Sequence, residues 1–169
     1  WQHELGKQYK AHFPIPDTVD HLFNGLDERS YIDLLKKIII GNHQPENVII
    51  LEIEPDKQKT WIDFYLTRSM LDIEPVCISK IIKEGKDLFY MKNGVKTKIH
   101  RIYDRLIFDE LQARKDLLLQ WNLTDEVNVE WVCHPNWFFR ISKYTLPFIK
   151  SRYVPETIFL NELKSIPED

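Results

Sequence analysis

Three stretches of the chain hold residues whose types and spacing could do chemistry. In His100-Arg101-Ile102-Tyr103-Asp104-Arg105, strand geometry puts Arg101 and Tyr103 on one face and His100 and Ile102 on the other. Arg101 and Arg105 could each grip a carboxylate or phosphate through two parallel N–H bonds. The alternative is internal pairing with Asp104, Asp109 or Glu110, because an unpaired charge is costly to bury. In Glu52-Ile53-Glu54-Pro55-Asp56-Lys57-Gln58, Glu52 and Glu54 share a face if the strand persists and could bind a cation or an amine. The alternative there is a solvated loop with a helix cap. Gln58 and Thr60 stand where the start of a helix could meet an anion through backbone N–H groups. In the third stretch, Asn136 leads a helix on which Arg140 and Lys143, three apart, are neighbours. Trp137, Phe138 and Ile141 pack its other side, and a solvated basic pair is the plainer reading.

Several chemistries are disfavoured, and no catalytic residue is assigned. The six histidines are scattered, and no Ser-His-Asp or Cys-His arrangement is legible. No glycine-rich dinucleotide or phosphate-cradling motif follows a strand. Cys133-His134 lacks a second pair at zinc spacing, so no metal ligand is expected. Cys77 and Cys133 have no CxxC spacing and read as two buried, reduced thiols, which suits a cytoplasmic protein. A net charge of −3 and a pI near 6.1 give no general pull toward nucleic acid or anionic membrane, and no apolar run approaches the length of a membrane span.

These residues need elements to position them. With 169 residues, 43% hydrophobic and 29% charged, the chain can build one ordinary globular core. A short helix is expected over residues 2–10, then a proline-rich loop. A second helix starts at Asp27, with Tyr31, Leu34, Leu35, Ile38 and Ile39 as its apolar stripe and Gly41 as its stop. Residues 47–53 read as a strand buried on both faces. Pro55 and Asp56 open a helix running to about Leu71, with Trp61, Ile62, Tyr65 and Leu66 facing inward, and residues 75–78 form a second buried strand. Asn93-Gly94 is the preferred two-residue hairpin turn, its arms spanning about 87–103 and its edge guarded by Lys92, Lys96 and Lys98. The second arm is long enough to enter the main sheet. A helix over roughly 108–121 and a strand over 127–132 follow. The fold class expected is α/β, a three-layer Rossmann-like sandwich with a mostly parallel sheet and an inserted hairpin.

The tail carries a resemblance. Asn136-x-x-x-Arg140-x-x-Lys143, then Tyr153-Val154-Pro155-Glu156-Thr157-Ile158-Phe159-Leu160, resembles the junction in ATP-grasp ligases, including glutathione synthetase and glutathionylspermidine-synthase-like proteins. There, a Rossmann-like substrate-side domain ends in a strand, an Asn-led basic helix follows, and a Pro-x-Thr segment enters the nucleotide-binding half. The resemblance implies a substrate-side domain of a carboxylate–amine ligase that does not catalyse alone. Its electropositive edge would be Arg101, Arg105, Asn136, Arg140 and Lys143, with Glu52, Glu54 and Gln58 as secondary candidates. ATP and Mg²⁺ would belong to a further C-terminal domain, which is itself an expected partner beside an anionic small molecule. The organisation implied is an N-terminal segment at 1–46, the substrate-side domain at 47–150 and a linker at 151–169. A chain opening mid-helix at Trp1 and stopping at Asp169 reads as a piece of a larger protein. The rival reading is a non-enzymatic Rossmann-like module that binds a protein through aromatics such as Trp1, Phe13, Trp137 and Phe138.

Overall fold

The structure, a computed structural model, describes residues 1–22, 24–137 and 142–164. The chain divides into two compact units, Trp1–Cys133 and His134–Asp169.

The first unit is mixed α/β. Two helices lead in, α1 (Gln2–His12) and α2 (Glu28–Ile39). The start of α2 is fixed by a reciprocal cap: Ser30 N–H donates to Asp27 Oδ1 at 2.8 Å, and Asp27 N–H donates to Ser30 Oγ at 2.9 Å, satisfying two otherwise orphaned donors. Ile39 is buried and Leu35 packs inward, while Leu34 and Ile38 of the expected stripe face solvent at 41% and 50% exposure. Strand β1 (Val48–Glu52) is buried at every position. After a 3-10 turn at Pro55–Lys57, α3 (Trp61–Leu71) crosses to β2 (Glu74–Cys77), which pairs parallel with β1. Here too the buried face differs from expectation. Phe64 and Leu71 are buried, whereas Trp61 and Tyr65 are 52% and 58% exposed. A helix with apolar residues on several sides does not declare which stripe the sheet will cover.

Strands β3 (Ile82–Glu84), β4 (Asp87–Lys92) and β5 (Val95–Ile99) form a separate antiparallel sheet. Asn93 and Gly94 turn between β4 and β5 with φ of +50° and +80°, the pair of positive φ values a tight hairpin requires. The chain then enters the main sheet as expected. Strand β6 (Arg101–Asp104) pairs parallel with β1, and β7 (Glu130–Val132) pairs parallel with β6. The main sheet therefore has four parallel strands in the order β2-β1-β6-β7.

Alternation along β1 sends its side chains to two cores. Val48 and Ile50 pack with Ile39, Ile40, Phe64, Leu71 and Ile73 under α2 and α3. Ile49 and Leu51 pack with Ile78, Ile81, Leu88, Ile99, Ile102 and Trp121. The second face is thus covered by the antiparallel sheet and the segment holding Trp121.

The helix expected over 108–121 is confined to α4 (Phe108–Ala113). Arg114 leaves helical geometry with φ −90° and ψ +70°. Its guanidinium donates to both carboxylate oxygens of Asp116, at 2.8 and 2.7 Å, and to Glu54 at 2.8 Å, while Trp121 is drawn into the core at 1% exposure. The two thiols also part company. Cys77 is buried, but Cys133 is exposed at a positive φ of +62°.

In the second unit, Lys143 opens a 3-10 helix (Lys143–Phe148) capped by Ser142, whose backbone is extended at φ −140° and ψ 173°. The expected helix through Arg140 and Lys143 therefore does not continue across Ser142. Arg140, Phe138 and Ile141 lie outside the described residues. Tyr144, Phe148 and Phe159 stack on one another with ring centroids 5.0–6.0 Å apart. Among the described residues, no helix is long and apolar enough to cross a membrane.

Candidate functional site

The chain leaves β1 toward β2 on one side, and after β2 it crosses to β6 on the other side of β1. The β1/β6 junction is therefore a point where strand order reverses, and parallel sheets open a crevice at the carboxyl ends there. Glu52 and Asp104 end these two neighbouring strands. Glu52 is 5% exposed, and its Oε1 accepts the Ile53 N–H at 2.8 Å. Burial pushes its carboxyl up to about 7, with the nearby Glu110 charge adding to the shift and Arg105 opposing it. Asp104 accepts the Leu106 N–H at 3.1 Å. Its carboxyl is likewise raised to about 7, by burial first and then by the negative charge of Glu52.

Glu54 lies two residues beyond β1 in a left-handed conformation, φ +43°, which a non-glycine residue adopts only when its surroundings hold it there. Three contacts do so. Its N–H donates to Cys77 Sγ at 3.2 Å, and its carboxylate accepts Lys57 Nζ at 2.5 Å and Arg114 Nη1 at 2.8 Å. The Lys57 and Arg114 hydrogen bonds hold the Glu54 carboxyl below its ordinary range. Gln58 Nε2 donates to the Ile53 carbonyl at 2.8 Å and so braces the same loop, rather than presenting its amide to a ligand.

Beside this loop, toward β2 and the hairpin tip, an open cleft of about 630 Å³ is lined by residues 54–57, Arg68, β2, Ser79, Lys80 and residues 90–93. Its volume is that of a small-molecule site. Of its four cations, Lys57 is committed to Glu54 and Arg68 to Glu74 at 3.1 Å. Among the described residues, Lys80 and Lys92 have no ion-pair partner, and neither does Asp56. Cys77 Sγ and Ser79 Oγ meet at 3.1 Å on the floor. The cleft thus offers two free ammonium groups and one free carboxylate, which is a match for a ligand richer in anionic than in cationic groups.

The sequence candidates scatter relative to this site. Glu52, Glu54, Gln58 and Arg105 converge on the carboxyl edge of the sheet. Arg105 is held by Asp63 at 2.8 Å and by the Tyr103 hydroxyl at 3.4 Å, not by the acidic neighbours that the sequence suggested. Arg101 begins β6, at the opposite edge, about 13 Å from Arg105 at roughly 3.3 Å per strand residue. Its guanidinium bonds Glu130 and donates to the Ile38 carbonyl at 2.9 Å, tying α2 to β6 and β7. Asn136 sits in an exposed turn, its N–H donating to His134 Nδ1 at 3.2 Å. Lys143 is exposed at the start of its 3-10 helix. Lys80 escaped the sequence reading, and Asp104 and Lys92 entered it only as an arginine's pairing partner and an edge guard. Asp104 was legible as a strand end, but the lysines reach the cleft only through long-range packing. No protein-family model matches the chain, and no curated protein matches it.

Proposed function

We propose that this chain binds a small, predominantly anionic metabolite, such as an acidic amino acid or another polycarboxylate, in the cleft beside the carboxyl ends of β1 and β2. The observation that carries this reading is the pair of uncommitted lysines, Lys80 and Lys92, on one 630 Å³ cleft that runs along the edge strand β2 from the loop after β1. Free Asp56 on the same wall provides for an amine on the ligand. The strand order also supports the Rossmann-like reading of the fold, because doubly wound sheets use this order around their binding crevice.

The narrower reading is a substrate-side domain of an ATP-dependent carboxylate–amine ligase that does not catalyse on its own. It rests on the sequence resemblance through Asn136, Arg140, Lys143 and residues 153–160, and a cleft suited to a carboxylate bearing an amine is consistent with it. Calorimetric titration with glutamate, citrate and pyrophosphate tests the binding claim. Saturable binding that weakens at least tenfold in a Lys80→Ala/Lys92→Ala double variant supports it, and binding indifferent to both lysines refutes it. The ligase claim is tested by nucleotide turnover of the gene's full product with Mg²⁺ and a panel of carboxylate and amine pairs. No carboxylate-stimulated phosphate release would remove it. A second reading, a protein-interaction module, is favoured by the stacked Tyr144, Phe148 and Phe159, of which the first two are 66% and 67% exposed.

A further inference from the structure

A second polar cluster lies where α1 meets α2. The ligand atoms of His3, Glu4 and Glu28 all lie within 4.8 Å of one another. His3 is 4% exposed, and its Nε2 has no hydrogen-bond partner. That nitrogen points at two carboxylates, 3.5 Å from Glu28 Oε1 and 3.8 Å from Glu4 Oε1. Two ligand atoms bonded to one tetrahedral zinc at about 2.0–2.1 Å stand about 3.4 Å apart, so the observed spacing is close to that of a shared ion.

The groups behind His3 strengthen the case. His3 Nδ1 meets His21 Nε2 at 3.1 Å, and His21 Nδ1 lies 3.2 Å from Asp20 Oδ1. In the neutral tautomer in which His3 Nδ1–H donates to His21 Nε2, the His3 Nε2 lone pair faces Glu4 and Glu28, while His21 Nδ1 lies beside Asp20 without forming a hydrogen bond. In that tautomer a metal ion can take the place between ring and carboxylates that a proton on Nε2 would otherwise fill. A hydrogen-bond acceptor behind a ligating imidazole is the second shell that fixes its tautomer in metal sites. Gly6 makes room for it. A Cβ there would overlap the His21 ring, so a residue that weakens a helix interior by about 1 kcal/mol relative to alanine is what lets His21 reach His3. Lys7 Nζ, 2.8 Å from Glu28 Oε1 and 3.6 Å from Glu4 Oε1, supplies a positive charge at the outer rim. Its side chain is 42% exposed and can swing into solvent.

The geometry points to a divalent transition-metal site, of the zinc class, formed by His3 Nε2, Glu4 and Glu28, with His21 orienting the imidazole and Lys7 competing for the carboxylates. One nitrogen and two carboxylate oxygens leave a fourth position for water. The site ties α1 to α2.

The test is Zn²⁺ titration of the full chain by calorimetry, with Co²⁺ absorption as a report on ligand geometry. One ion per chain is expected. Glu28→Gln and His3→Gln each weaken binding at least tenfold, and His21→Phe weakens it about 10–100-fold, as loss of an orienting partner does. Lys7→Met tightens binding several-fold by removing the competing ammonium. Glu28 is 54% exposed in its side chain, so Glu28→Gln leaves the fold intact and keeps the test readable even where His3→Gln does not fold. Failure of the wild-type chain to take up Zn²⁺ at micromolar concentrations overturns the proposal. So does binding unchanged by Glu28→Gln, or binding that Lys7→Met fails to tighten.

Discussion

Replacing Glu52 with glutamine should make the protein less sensitive to alkaline pH, and the size of the effect follows from the burial of the carboxyl. Glu52 is 5% exposed, and its carboxyl moves from 4.5 to about 7 on folding. That corresponds to about 3 kcal/mol of preference for the neutral form. Between pH 5 and 7 the folded chain keeps a proton that the unfolded chain has released. Stability therefore falls as pH rises through that window, by up to about 1.4 kcal/mol per pH unit. Above pH 7 the fold bears the ionised group at a cost that the Ile53 N–H and Arg105 offset only in part. A glutamine at this position still accepts the Ile53 N–H and never ionises. The expected result in urea denaturation is near equality of wild type and Glu52→Gln at pH 5. At pH 8 the variant should be the more stable by about 2–3 kcal/mol. Part of the slope should survive, because Asp104 is raised to about 7 as well. Removing the Glu52 charge lowers the Asp104 value, since that charge contributes to its rise. Parallel pH profiles for the two proteins would show that Glu52 is not held neutral by burial.

Other substitutions test the frame around the site. Trp121→Ala should destabilise by about 3–5 kcal/mol, measured by chemical denaturation, because the indole is 1% exposed. Trp121→Phe should lose at most about 1.5 kcal/mol, since the indole N–H has no partner to forfeit. Arg101→Met should destabilise by about 0.5–1.5 kcal/mol through the lost hydrogen bond to the Ile38 carbonyl, and leave ligand binding at the cleft unchanged. Gly94→Ala should destabilise by about 1 kcal/mol or more, because φ is +80° there; a thermal melt reads this directly.

Much of the fold was legible because its signals are local. The Asp27–Ser30 cap, the five-residue apolar run of β1 and the Asn93-Gly94 turn each depend on a few adjacent residues whose backbone preferences agree with the final structure. What failed was decided at long range. Residues 108–121 have good helical composition, yet Arg114 finds Glu54 sixty residues away and Trp121 finds the core, and both contacts end the helix early. The apolar residues of α3 fit several stripes, and only the sheet selects Phe64 and Leu71. Glu52, Glu54 and Arg105 could be read from strand ends alone, and of them Glu54 lines the cleft. Arg101 resembled them chemically but starts its strand instead of ending it. Lys80, Lys92 and the meeting of His3 with Glu28 leave no local pattern, because separate elements bring those groups together.

The proposed ligand site is the cleft along the edge strand β2. Amide chemical-shift mapping of the ¹⁵N-labelled chain during titration with glutamate or citrate tests it most directly. Saturable shifts are expected at residues 54–58, 77–80 and 90–93, with Arg101 and its neighbours unmoved. Shifts centred on Arg101, or on the turn at Asn136, with residues 77–80 silent, would contradict it.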